Sequence, residues 1–132
     1  GRLVQDHPEY LPGYTELAEL LVNEGRIQDA STILQEGLKK FPGNSILLND
    51  LGMCHLLEGD IDSADEAFNA ALTASPRDSV YIGNSALVSA LQGNDERALK
   101  LWNTILSRKD SLENLKQAQD STLYRGDNSP VE

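Results

Sequence analysis

Apolar positions along this chain recur with the period of an α-helix, and turn residues interrupt them at regular intervals. In the middle of the chain Leu47, Leu48, Leu51, Cys54 and His55 lie three and four apart, Gly59 and Asp60 break the pattern, and Ile61, Ala64, Phe68, Ala71 and Leu72 resume it. Residues at that spacing share one helix face, so the stretch reads as two amphipathic helices joined by a tight turn. The glycine supplies a left-handed residue after the first helix without steric cost. Asp60, or Asn94 in the corresponding later turn, then offers a side-chain oxygen to the open amides of the next helix.

The same pattern occurs three times. Sliding the sequence by 34 residues superposes Gly25 on Gly59 and Gly93, Ala30 on Ala64 and Ala98, and Leu38 on Leu72 and Leu106. The large apolar residues Leu34, Phe68 and Trp102 share a further column, as do Pro8, Pro42 and Pro76, with Asp110 where a fourth proline would fall. The small alanines let paired helices approach closely. Proline disfavours helix in the residue before it, so Lys40-Phe41-Pro42-Gly43-Asn44 and Ala74-Ser75-Pro76-Arg77-Asp78 end one hairpin and cap the next. These observations predict an all-α chain of six helices in three hairpins.

The columns resemble the tetratricopeptide repeat, whose motif carries Trp-x-x-Leu-Gly-x-x-Tyr on its first helix and Ala, Phe, Ala and Pro on its second. Residues 45–78 match best, with Leu48, Leu51, Gly52 and His55 followed by Ala64, Phe68, Ala71 and Pro76. Residues 11–44 carry Tyr14, Leu17, Ala18, Leu21, Ala30, Leu34, Gly37 and Pro42. Residues 79–110 carry Ile82, Ser85, Ala86, Ser89, Ala98, Trp102 and Ile105, with serines where the family has Leu and Tyr. The resemblance implies an all-α solenoid of three helix-turn-helix repeats. Residues 1–10 are expected to be either the end of a preceding repeat or a linker. Residues 111–124 read as a capping helix, with a capping-box-like start at Asp110-Ser111-Leu112-Glu113 and Leu112, Leu115 and Ala118 three apart on its apolar side. Residues 125–132 have the composition of a tail.

Composition narrows the function. With 132 residues, 39% of them hydrophobic, one domain is expected. The 21 acidic residues against 11 basic ones give a net charge of -10, the wrong sign for nucleic acid. The single Cys54 rules out an internal disulfide and a cysteine metal cluster. Apolar runs of a few residues are too short to span a bilayer, so no direct membrane insertion is expected. The chain opens on Gly1-Arg2-Leu3-Val4 rather than Met, as expected of a piece of a longer protein. No nucleophile elbow, zinc-binding helix, phosphate loop or EF-hand series occurs, and Glu58-Gly59-Asp60-Ile61-Asp62 is a hairpin turn by period. His55 falls in a packing column, and Cys54 points about 100° away from it on the same helix, so the two do not form a nucleophile and base. Neither an enzyme nor a cofactor is expected.

The resemblance places function on the concave face lined by the first helix of each hairpin. The candidate groove residues there are Glu19, Asn49, Asp50, Met53, Leu56 and Leu57, followed by Val80, Asn84, Leu87 and Leu91. Leu57 and Leu91 stand where the family usually has a polar residue, and Met53 and Leu87 occupy a ligand-contacting column. An apolar floor with acidic edges suits a protein or peptide partner that is apolar with basic flanks, as a helix or an extended segment. The alternative is that the capping helix, the tail or neighbouring repeats cover this surface. One use of such grooves in the family is a clamp of Lys, Asn and Arg for the terminal carboxylate of heat-shock chaperones. The matching positions are Thr15, Glu19, Asp50, Val80 and Asn84, of which only Asn84 agrees, so the groove is expected to repel a terminal carboxylate. The wording of repeats two and three also loosely resembles bacterial Tad-type (Flp) pilus-assembly repeat proteins, which implies a scaffold for an envelope machine. The compartment follows the parent protein, cytoplasmic by default and periplasmic where that resemblance holds. Two other readings are a self-assembly module forming homo-oligomers and a regulatory domain of a larger enzyme.

Overall fold

The computed structural model describes residues 11–126 and places seven helices and no strand among them. Helix α1 spans Leu11–Asn23, α2 Ile27–Lys40, α3 Ser45–Leu57, α4 Ile61–Ala74, α5 Ser79–Leu91, α6 Asp95–Trp102 and α7 Arg108–Gln119. The expected repeat end or linker at 1–10, with His7 and Pro8, and the tail beyond Gly126 lie outside the described residues. The chain divides into two compact units, one ending at Ala74 and the other starting at Ser75.

The first unit holds two hairpins, α1 with α2 and α3 with α4; α2 also packs on α3, and α1 reaches α3. The turn after α3 shows how the predicted signals act. Gly59 adopts φ 79°, its N–H donates to the Leu56 carbonyl at 2.9 Å, and the Asp60 N–H donates to the His55 carbonyl at 2.9 Å. This pair of bonds closes the open carbonyls at the helix end. The Asp60 carboxylate then accepts from the Ser63 N–H at 3.2 Å and starts α4. Between the helices Ala30, Leu34, Ala64 and Phe68 are fully buried, so the repeat columns read from the sequence are the packing columns. Gly52 lies where α3 passes over the Phe68 ring: a Cβ there would stand 2.6 Å from two ring carbons. Half-buried His55 takes the place of the family's aromatic and faces Asp60, whose carboxyl is held below the usual aspartate range by the Ser63 hydrogen bonds and, to a smaller extent, by the imidazole.

In the second unit α5 and α6 form a hairpin and α7 packs on both. Asp78 caps α5, accepting from the Val80 N–H at 2.9 Å, and Asn94 caps α6 by accepting from the Arg97 N–H at 3.2 Å. Two boundaries differ from expectation. Helix α6 has 8 residues and stops at Trp102, where α4 has 14, and the chain leaves it through a turn in which the Leu106 N–H donates to the Trp102 carbonyl at 2.7 Å. The capping helix therefore covers 108–119 rather than 111–124. Its cap is Ser107, whose hydroxyl accepts from the Asp110 N–H at 3.1 Å, so Asp110 sits inside the first turn and not at the cap. That register also changes the buried stripe. Ser111, Leu115 and Ala118 face the core, while Leu112 is exposed.

Candidate functional site

In the first unit α1 presents Thr15, Ala18, Glu19 and Val22, and α3 presents Asp50, Met53, Cys54 and Leu57, each set spaced three and four residues apart on one face. The two stripes line an open cleft of about 370 Å³ whose floor is completed by Leu34 from α2. Ala18, Leu34 and Cys54 are buried, Asp50 is half-buried, Glu19 is exposed at the rim, and Met53 and Leu57 remain 38% and 57% exposed. No Lys, Arg or His lines the cleft.

Its electrostatics follow from that lining. Partial burial pushes the Asp50 carboxyl above the usual aspartate range; the side-chain hydrogen bond from Asn49 opposes the shift, and the nearby Glu19 charge adds to it. Burial likewise raises the Cys54 thiol to about 11, helped by the charges of Asp50 and Glu58. Cys54 is thus a neutral thiol at physiological pH, consistent with a small core hydrophobe and not with a nucleophile.

Of the residues expected in the groove, Glu19, Asp50, Met53 and Leu57 line this cleft together, whereas Asn49 and Leu56 are half-buried and stand outside its lining. Ala18, Leu34 and Cys54 escaped the sequence reading because they occupy core columns of the repeat. The available signal was their size, since Ala18 and Cys54 leave a gap in a row of leucines.

The second unit corrects the reading. Val80 is 58% exposed, and Asn84 and Leu87 are half-buried, but Leu91 is only 2% exposed and belongs to the core. Two helices pack on α5, and after α7 the chain returns to it: the Arg125 N–H donates to the Leu91 carbonyl at 2.7 Å, and Gly126 lies against Gly93 so closely that a Cβ on Gly93 would stand 2.7 Å from the Gly126 Cα. The C-terminal segment therefore covers the end of α5. The serines at the repeat's bulky columns are also buried, with the Ser89 hydroxyl donating to the Ser85 carbonyl at 2.8 Å and accepting from Arg97 Nη1 at 2.6 Å.

Residues 15–79 match the tetratricopeptide repeat family. This stretch is tetratricopeptide repeat. The fold extends the likeness beyond it. A thermophilic tetratricopeptide repeat protein of Thermus thermophilus superposes with a TM-score of 0.74 at 21% identity, over 91% of this chain and 69% of its own. MamA superposes with a TM-score of 0.75 at 15% identity, over 90% of this chain and 72% of its own. The first tetratricopeptide repeat domain of Spaghetti (RPAP3), bound to the HSP90 peptide SRMEEVD, gives 0.63 at 16% identity, over 84% and 96%. Identities this low show the fold alone. No curated protein matches the sequence. A tetratricopeptide fold implies a protein-interaction scaffold. Among the described residues no helix is long and apolar enough to cross a membrane, and no three His, Cys, Asp or Glu side chains are grouped to hold a metal ion.

Proposed function

We propose that the chain is a non-catalytic docking module whose cleft between α1 and α3 receives an apolar segment of a partner protein, helical or extended, with basic flanks. One observation carries this reading: an open cleft walled by exposed Met53 and Leu57 that holds Glu19 and Asp50 and no cation. The half-exposed methionine and leucine lose contact with water when an apolar side chain enters, and methionine adapts to differing shapes. Glu19 and Asp50 speak against an acidic peptide such as the one bound to Spaghetti, because a carboxylate-rich ligand meets like charge there. Val80, Asn84 and Leu87 offer a further candidate surface on the second unit. A place in assembling a bacterial pilus or secretion machine is the finer reading suggested by the sequence of repeats two and three.

The test is partner capture by the wild type and by Met53→Glu with Leu57→Glu, alongside circular dichroism. The reading expects capture to be lost while helical content is kept; capture by the double variant at wild-type level refutes it. A second reading, self-association, is favoured by Leu20 and Ile46, which are exposed outside the cleft. Light scattering across a concentration series separates the two, since mass that rises with concentration without any ligand supports self-association.

A further inference from the structure

The cleft is polar at one end and apolar at the other, and this order specifies more than a greasy groove. Glu19 and Asp50 lie together at one end, close enough for the Glu19 charge to act on the Asp50 carboxyl. Val22 and Leu57 follow on the same two helices, three and seven residues further along, which at helical rise is about 5 Å and about 10 Å. Met53 stands between. We infer that the cleft is a cation-and-apolar clamp: it takes a partner segment that presents one Arg or Lys to Glu19 and Asp50 and, one to two helical turns away, a large apolar side chain to Val22, Met53 and Leu57. The inference rests on the docking role proposed above and adds the register and the sign of the partner's key residue.

The physical case is one of unmet charge. Asp50 is partly desolvated beside the exposed Glu19, with Asn49 hydrogen-bonded to Asp50 and no Lys, Arg or His in the lining. A guanidinium meets both carboxylates through its planar set of donors, and its aliphatic stem covers Met53. A neutral amide in that place leaves the like-charge pair as it was. A carboxylate worsens it. Burial is the main cause of the raised Asp50 carboxyl, and the Glu19 charge adds to it, so a cation brought to this end of the cleft relieves both.

The experiment uses three blocked, alanine-based peptides of about 14 residues, long enough to populate helix. All three carry the same stripe of leucines; they differ in one flanking residue, Arg, Gln or Glu. Dissociation constants come from titration calorimetry, and amide shifts in NMR spectra locate the site. The Arg peptide is expected to bind about tenfold tighter than the Gln peptide, with the Glu peptide weakest. Glu19→Gln with Asp50→Asn should erase that ranking, the Arg peptide losing its tenfold advantage over the Gln peptide. Equal binding of the Arg and Gln peptides to the wild type, with both lost in Leu57→Glu, overturns the clamp and keeps the apolar docking site. Binding of none of the three at the cleft residues overturns both. A preference for the Glu peptide overturns the clamp outright.

Discussion

The tight approach of Gly52 to Phe68 in the first unit sets two known effects against each other. Replacing a mid-helix glycine by alanine ordinarily stabilises a helix by about 1 kcal/mol. At Gly52 the new methyl would stand 2.6 Å from Cδ1 and Cε1 of a ring that is fully buried. The ring must retreat by roughly 0.8 Å to reach ordinary contact, and overpacking of this kind costs about 1–3 kcal/mol. Overpacking therefore wins, and Gly52→Ala should destabilise by about 1–2 kcal/mol net, lowering the melting temperature by roughly 3–10 °C. The repeat supplies its own rescue. One period earlier the same pair of columns holds Ala18 and Leu34, so Gly52→Ala with Phe68→Leu recreates a combination the first hairpin already packs. The double variant should be more stable than the sum of the singles predicts, by about 1 kcal/mol of coupling. Gly83 on α5 is the control, because a Cβ there meets only the Ile105 methyl at 3.9 Å and Gly83→Ala should stabilise. Urea denaturation followed by circular dichroism measures all four variants. A Gly52→Ala protein more stable than wild type refutes the crossing of α3 over the Phe68 ring.

Other substitutions separate surface from core. Leu57→Glu, at a position 57% exposed, should leave stability within about 0.5 kcal/mol, while Leu91→Glu, at 2% exposure, places a charge in the core and should unfold the second unit; urea titrations of both variants decide. Because folding raises the Cys54 thiol from 9.0 to about 11, the folded state holds that proton more tightly, so stability is full below pH 9.0 and falls as pH rises through about 11, by up to ~1.4 kcal/mol per pH unit. A Cys54→Ala variant should lack this alkaline loss, and an unchanged profile between pH 9 and 11 counts against burial of the thiol. Ending the chain after Gln119 removes the Arg125 to Leu91 hydrogen bond and the Gly126 cover, so binding of a hydrophobic dye should rise and the second unit should melt at lower temperature. Wild-type dye binding and melting in the shortened chain would show that the segment is not what keeps Leu91 dry.

Much of the fold was legible because its determinants are local and repeated. Gly25, Gly59 and Gly93 each adopt the left-handed conformation their column demanded, and Ala30, Ala64 and Ala98 are each fully buried where a small residue was required. Asp60 and Asn94 cap the helices they precede. What failed was information the repeat does not carry. The second helix of the third hairpin ends early at Trp102, and Ser107, outside every repeat column, captures the start of the next helix. A capping serine three residues before an aspartate amide competes well with an aspartate further on, and only the length of α6 decides which is used.

The site shows the same division more sharply. Leu57 and Leu91 are the same residue in the same column, one period apart, yet one is 57% exposed and the other 2%. Periodicity assigns a residue to a helix face; it does not say what lies on that face. In the first unit α1 and α3 leave a gap above Ala18 and Cys54, and the column stays open. In the second, α7 packs on α5 and the chain beyond it bonds back to Leu91, so the column closes. The closing segment is not a repeat, and nothing in the columns foretells where it returns. The acidic pair distinguishes the open cleft further: the partly buried Asp50 carboxylate, beside the exposed Glu19 and without a cation in the cleft lining, is costly unless a cation is supplied. On the proposed reading, two carboxylates beside an uncovered apolar wall single out this cleft better than apolar columns alone, and they set the sign of charge that the peptide titration tests.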